Sequence, residues 1–148
     1  MGNSTDFIDK PCDTGYYCPN GTTRPDEFPC PAGTFNPDPL QTNITACQSC
    51  TPGWYCLGNG NTAPDAECSE GWYCSGGATQ SMPSNMAEGG ECYPGTFCPQ
   101  GSDAPLPCTP GFYCGSSRLP NVTGECNQGN KKSFIVFLDV NFILLLLC

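Results

Sequence analysis

Cys50-Thr51-Pro52-Gly53-Trp54-Tyr55-Cys56 sets two cysteines around five residues with Gly in the middle and an aromatic last. The frame returns as Cys12-DTGYY-Cys18, Cys68-SEGWY-Cys74, Cys92-YPGTF-Cys98 and Cys108-TPGFY-Cys114. A further copy, Cys30-PAGTF, keeps the Gly and the aromatic but has Asn36 where the second cysteine belongs, and gains Cys47 instead. First cysteines at 12, 30, 50, 68, 92, 108 and 126 repeat at about eighteen residues, a period that makes each unit one small supersecondary element stacked on its neighbours and touching little else.

Pro followed by Gly, as at Pro52-Gly53, Pro94-Gly95 and Pro110-Gly111, is the signature of a type II turn: Pro presets φ, and only Gly takes φ > 0 without strain. Tyr16-Tyr17, Trp54-Tyr55, Trp72-Tyr73 and Phe112-Tyr113 then favour extended strands. No stretch before 133 has helical periodicity. The expected fold is small and disulfide-rich, an elongated tandem array of short turn and β-hairpin units with little or no helix before residue 130.

Among 148 residues, 14 are Cys, 18 Gly and 16 Pro, and none is His. Cysteine at that density marks a disulfide scaffold, formed in an oxidising compartment. The expected organisation is a polar, disordered N-terminal segment (1–11), repeats over 12–74, a hinge at 75–91 with its paired glycines, repeats over 92–129, and an apolar tail (130–148). Each unit is expected to close on itself, pairing Cys12 with Cys18, Cys30 with Cys47, Cys50 with Cys56, Cys68 with Cys74, Cys92 with Cys98 and Cys108 with Cys114, because Asn36 and Cys47 compensate. A serial alternative joins Cys18 to Cys30, Cys56 to Cys68, Cys74 to Cys92, Cys98 to Cys108 and Cys114 to Cys126, leaving Cys47 and Cys50 as a tight ring. The second aromatic of each unit is expected to pack on its own or its neighbour's disulfide.

The pattern Cys30-PAGTFNPDPLQTNITA-Cys47-QS-Cys50-TPGWY resembles the ephrin-receptor-like cysteine-rich repeat, related to tumour-necrosis-factor-receptor and EGF-like modules, over residues 12 to about 129. The resemblance implies a non-catalytic spacer or adhesion module in a larger secreted or cell-surface protein.

Sequons at Asn3, Asn20, Asn43 and Asn121 agree with passage through a secretory pathway. Residues 1–11 carry no apolar signal core, so either the sequence begins inside a longer precursor or its start is misplaced. The formal charge of -9 has no basic patch opposing it, which excludes nucleic acid as a partner. Without histidine there is no catalytic triad and no His-ligated metal, and Cys47-Gln48-Ser49-Cys50 lacks a second ligand pair, so no catalytic residue, metal or cofactor is expected. The acidic cluster Asp65, Glu67 and Glu70 reads as a solvated loop. An alternative to the spacer is a binding module in which exposed Trp54, Trp72 or Tyr73 contacts a protein or glycan.

The tail FIVFLDVNFILLLLC is interrupted by Asp139 and Asn141 and is short for a span of about 20 residues. It reads as foreign to the repeat, translated from non-coding sequence, with a truncated membrane anchor as the alternative. On that reading Cys126, the first cysteine of a seventh unit, is left as an odd thiol.

Overall fold

In each of the first six units the residue after the first cysteine accepts a hydrogen bond from the residue that follows Gly, as Trp54 N–H donates to Thr51 O at 2.9 Å. The glycines of these turns have φ between 79° and 92°, the left-handed value that position i+2 of a type II turn requires. A computed structural model describes residues 11–126, together with the backbone strands of 134–138 and 141–145.

The turn delivers each chain into a strand that pairs antiparallel with the residues just before the next unit. Thus β1 (Thr34–Phe35) pairs with β2 (Gln48–Ser49), β3 (Trp54–Tyr55) with β4 (Ala66–Glu67), and β5 (Trp72–Cys74) with β6 (Gly89–Glu91). The series continues with β7 (Thr96–Phe97) on β8 (Leu106–Pro107) and β9 (Phe112–Tyr113) on β10 (Gly124–Glu125). In the first unit the hairpin shrinks to a single bridge, Tyr16 to Pro29. One 3-10 turn, Ile44–Ala46, is capped by Asn43. In the tail, β11 (Phe134–Leu138) and β12 (Asn141–Leu145) form a hairpin of their own, register Phe134 to Leu145. The fold is a small, disulfide-rich tandem array of hairpins.

What joins the units is backbone. Between the third and fourth, Gly53 N–H donates to Cys74 O, Cys68 N–H to Gly53 O, Gly77 N–H to Cys50 O and Cys56 N–H to Ala78 O, all at 2.8–2.9 Å. The same set joins each adjacent pair from the first unit to the sixth, with Asn36 taking the place of a second cysteine. The donor to the first cysteine sits in a second left-handed position, filled by Gly60, Gly77 and Gly101 but also by Leu40 (φ 66) and Arg118 (φ 58). Each such bond contributes on the order of 1 kcal/mol, so an interface gains its strength from repetition.

Contacts reach beyond the nearest neighbour, contrary to expectation. A Cβ at Gly15 would overlap the carbonyl of Gly60, one at Gly33 that of Gly77, and one at Gly71 that of Arg118, each two units further along. The turn glycine is therefore needed twice, for its φ and for the closeness of this approach.

The structure closes each unit on itself: Cys12–Cys18, Cys30–Cys47, Cys50–Cys56, Cys68–Cys74, Cys92–Cys98 and Cys108–Cys114. Cys47 and Cys50 thus belong to different bridges. The expectation of an odd thiol at Cys126 is corrected, because this cysteine too is disulfide-bonded.

Apart from Ala78, Pro83 and glycines, the buried apolar residues of the described array are all cysteines. Tyr55, the second aromatic of its unit, packs against Cys68, Cys74 and Ala78, which is the neighbour's disulfide. Along the array Tyr17, Phe35, Tyr55, Tyr73 and Phe97 are half-buried in this same register, whereas Tyr113, on β9 of the sixth unit, is exposed.

Candidate functional site

Strand geometry sends alternate side chains to opposite faces, so the first aromatics of the units share one face and the second aromatics the other. Trp54 and Trp72 occupy equivalent places on β3 and β5. Tyr73 is on the opposite side of β5, its ring over Gly90 of β6. The three residues expected as ligand contacts are therefore not gathered into one site.

Trp54 is 37% exposed and lines an open groove of about 270 Å³ with Thr51 and Pro64. A groove this shallow leaves most of a small molecule in water, and it suits a flat contact better than an enclosed one. Trp72 is half-buried and already engaged: the Arg118 guanidinium lies 5.0 Å from its ring centroid. Arg118 Nε also donates to Glu91 Oε2 at 2.6 Å, so one side chain ties β5, the end of β6 and the sixth unit together. A cation over an indole contributes roughly 0.5–1 kcal/mol at an exposed site. Sequence reading missed Arg118 because nothing local links it to Trp72.

Where a cysteine is missing, polar chemistry fills the space. Asn36 is buried; its Nδ2 donates to Tyr16 O at 2.9 Å and its Oδ1 accepts from Asp38 N–H at 3.1 Å. A buried amide with both ends satisfied is tolerated where an unpaired one would not be.

The segment 75–91 buries Ala78 and Pro83 and is tied by Glu88, whose carboxylate accepts from Thr79 N–H at 3.0 Å, Thr79 Oγ1 at 2.8 Å and Asn85 Nδ2 at 3.1 Å. The Thr79 backbone N–H, ahead of its hydroxyl, holds the Glu88 carboxyl below the ordinary glutamate range.

The described residues hold no group of three His, Cys, Asp or Glu suited to a metal ion. Of the acidic loop, Asp65 accepts from Leu57 N–H at 2.6 Å. No helix among the described residues is long and apolar enough to cross a membrane. Asn20, Asn43 and Asn121 are exposed, whereas Asn3 lies outside the described residues.

No protein-family model matches the chain. Over 78 residues, 53% of its length, the chain is 38% identical to ABC transporter G family member 25 of Oryza sativa subsp. japonica. Over an alignment of 150 residues, 93% of its length, it is 27% identical to ABC transporter G family member 28 of Arabidopsis thaliana. The chain spans 6% of the first relative and 12% of the second.

Proposed function

We propose that this chain is a non-catalytic, extracellular cysteine-rich repeat module, acting as a structural spacer within a larger secreted or cell-surface protein. The observation that carries this reading is the continuous backbone ladder, which uses the same donors and acceptors at each interface and spends the turn glycines and cystines on stacking. Tyr55 is committed to packing on the neighbouring disulfide, and Tyr17, Phe35, Tyr73 and Phe97 are half-buried in the same register. Dense disulfides and three exposed sequons support an oxidising, glycosylating compartment. Similarity to stretches of two ABC transporters, of which the chain spans 6% and 12%, supports a place in a much longer protein. The likeness to ephrin-receptor-like repeats belongs to this same reading.

Small-angle X-ray scattering tests it. An elongated particle is expected, and excising one unit, residues 50–67, should shorten it while leaving it folded, since Ser49 then leads into Cys68 in the same frame. A compact particle whose dimensions do not change overturns the spacer.

One observation favours a second reading, an adhesion surface centred on Trp54, whose ring is exposed beside Thr51 and Pro64. Trp54→Ala would then abolish binding of a protein or glycan partner without altering the scattering profile.

A further inference from the structure

Trp54 and Trp72 stand in matching places, each directly across its hairpin from a glutamate: Trp54 pairs with Glu67, and Trp72 with Glu91. Directly opposed residues on antiparallel strands share a face, with Cβ atoms about 5 Å apart. Each of these hairpins therefore presents an indole beside a carboxylate, and the two copies differ in what covers them.

The cover comes from the second left-handed position, two units further along. A Cβ at Gly60 in the third unit would lie 3.2 Å from Tyr16 Oη and 3.7 Å from Pro29 Cβ, the first aromatic of the first unit and its cross-strand partner. A Cβ at Gly101 in the fifth unit would lie 3.1 Å from Cδ of Glu67 in the third. Arg118 holds this position in the sixth unit, and its side chain reaches the pair in the fourth. Its guanidinium lies 5.0 Å from the Trp72 ring centroid while its Nε donates to Glu91 Oε2 at 2.6 Å.

The array thus holds one filled and one open copy of the same site. Gly101 has no side chain to offer Trp54, whose ring is 37% exposed and faces the groove beside Thr51 and Pro64. Glu67 is exposed too, and its carboxylate has no hydrogen-bond or ion-pair partner among the described residues. Arg24, the other arginine of the array, lies in the first unit, 3.7 Å from Asp26.

We propose that Trp54 and Glu67 form a receptor site for the guanidinium of an exposed arginine on a partner protein. The inference rests on the adhesion reading of Trp54 and names the chemistry of its partner. Arg118 shows what the pair accepts: a planar cation lies over the indole and gives an N–H to the carboxylate at once. A lysine ammonium is a compact point charge without the planar fork that serves both groups. The chain's formal charge of -9 favours a basic partner and steers its approach. One such contact is weak, so it fixes the register of a larger interface more than it supplies affinity.

The chain has two tryptophans and hence two indole N–H signals, which makes nitrogen-15 NMR a direct test. The oxidised full chain is titrated with a blocked Gly-Arg-Gly peptide and with its lysine and citrulline counterparts, citrulline being the neutral isostere of arginine. The arginine peptide is expected to shift the Trp54 signal saturably and leave Trp72 in place, with the lysine peptide weaker and the citrulline peptide inactive. Glu67→Gln should weaken binding at least about three-fold. Arg118→Ala should open the second copy, so that Trp72 responds as well. Gly101→Arg should fill the first copy and silence Trp54, since Arg118 already occupies that backbone conformation at φ 58°. Equal binding of the lysine or the citrulline peptide overturns the guanidinium site and leaves Trp54 as a contact surface. An arginine peptide that leaves Trp54 unmoved also overturns it, while the adhesion reading stands or falls separately on whether Trp54→Ala abolishes binding of a protein or glycan partner. So does a Trp72 signal that stays unmoved in Arg118→Ala when its backbone amide spectrum shows the native fold.

Discussion

At the scale of single residues the fold is decided by what a position forbids. Gly53 and Gly95 share a turn type and a φ near 90°, 83° and 92°, but a Cβ at Gly53 would lie 2.5 Å from Gly101 O whereas one at Gly95 meets nothing within 4 Å among the described residues. Gly95→Ala should therefore cost only the left-handed penalty of about 1–2 kcal/mol. Gly53→Ala adds a collision with backbone that cannot rotate away, and should lower stability by clearly more, read from denaturant midpoints of the oxidised proteins. The turn glycines were legible in the sequence, since Pro-Gly-aromatic has one ready interpretation. The second left-handed position was not, because Leu40 and Arg118 occupy it in two units and blur its period. Asn36 was legible as a missing cysteine, but not as a buried amide anchored to Tyr16 O, since that contact crosses into another unit.

Among elements, the longest hairpin excursion, between β5 and β6, shows how a glycine-rich segment is held. The sequence suggested a hinge from Gly76, Gly77, Gly89 and Gly90; what it could not show is the reach of Glu88 back to Thr79. Because those bonds favour the carboxylate, Glu88 has a lower pKa folded than unfolded. Its contribution to stability is present above the unfolded pKa, about 4.3, and is lost as pH falls through the lower folded value. Thermal midpoints measured from pH 6 down to pH 3 should accordingly fall less steeply for Glu88→Gln than for the wild type, from a lower starting point at pH 6. Parallel slopes would show that the Thr79 bonds do not persist in solution.

For the whole molecule, the decisive fact is that cystine takes the place of a core. Ordering a residue costs roughly 1–2 kcal/mol of backbone entropy, and an array whose buried apolar residues are nearly all cysteines has little aliphatic area to set against that. A bridge closing a loop as short as Cys68–Cys74 offsets about 2–3 kcal/mol by restricting the unfolded chain. It also supplies the surface on which Tyr55 packs, so reduction removes the constraint and the packing partner together. The ladder cannot survive alone, since each interface anchors on the backbone of the same cysteines. Excess reductant at neutral pH should therefore collapse amide chemical-shift dispersion over residues 12–126 and open the chain to protease within 75–91 and between the other units alike. In the oxidised protein the 75–91 segment should resist cleavage as well as its neighbours do, because the interface following it carries the same four bonds, Gly71 to Cys98, Cys92 to Gly71, Gly101 to Cys68 and Cys74 to Ser102. A protease-resistant fold in full reductant would mean that hydrogen bonds and aromatic stacking suffice, and that the disulfides only lock what already stands.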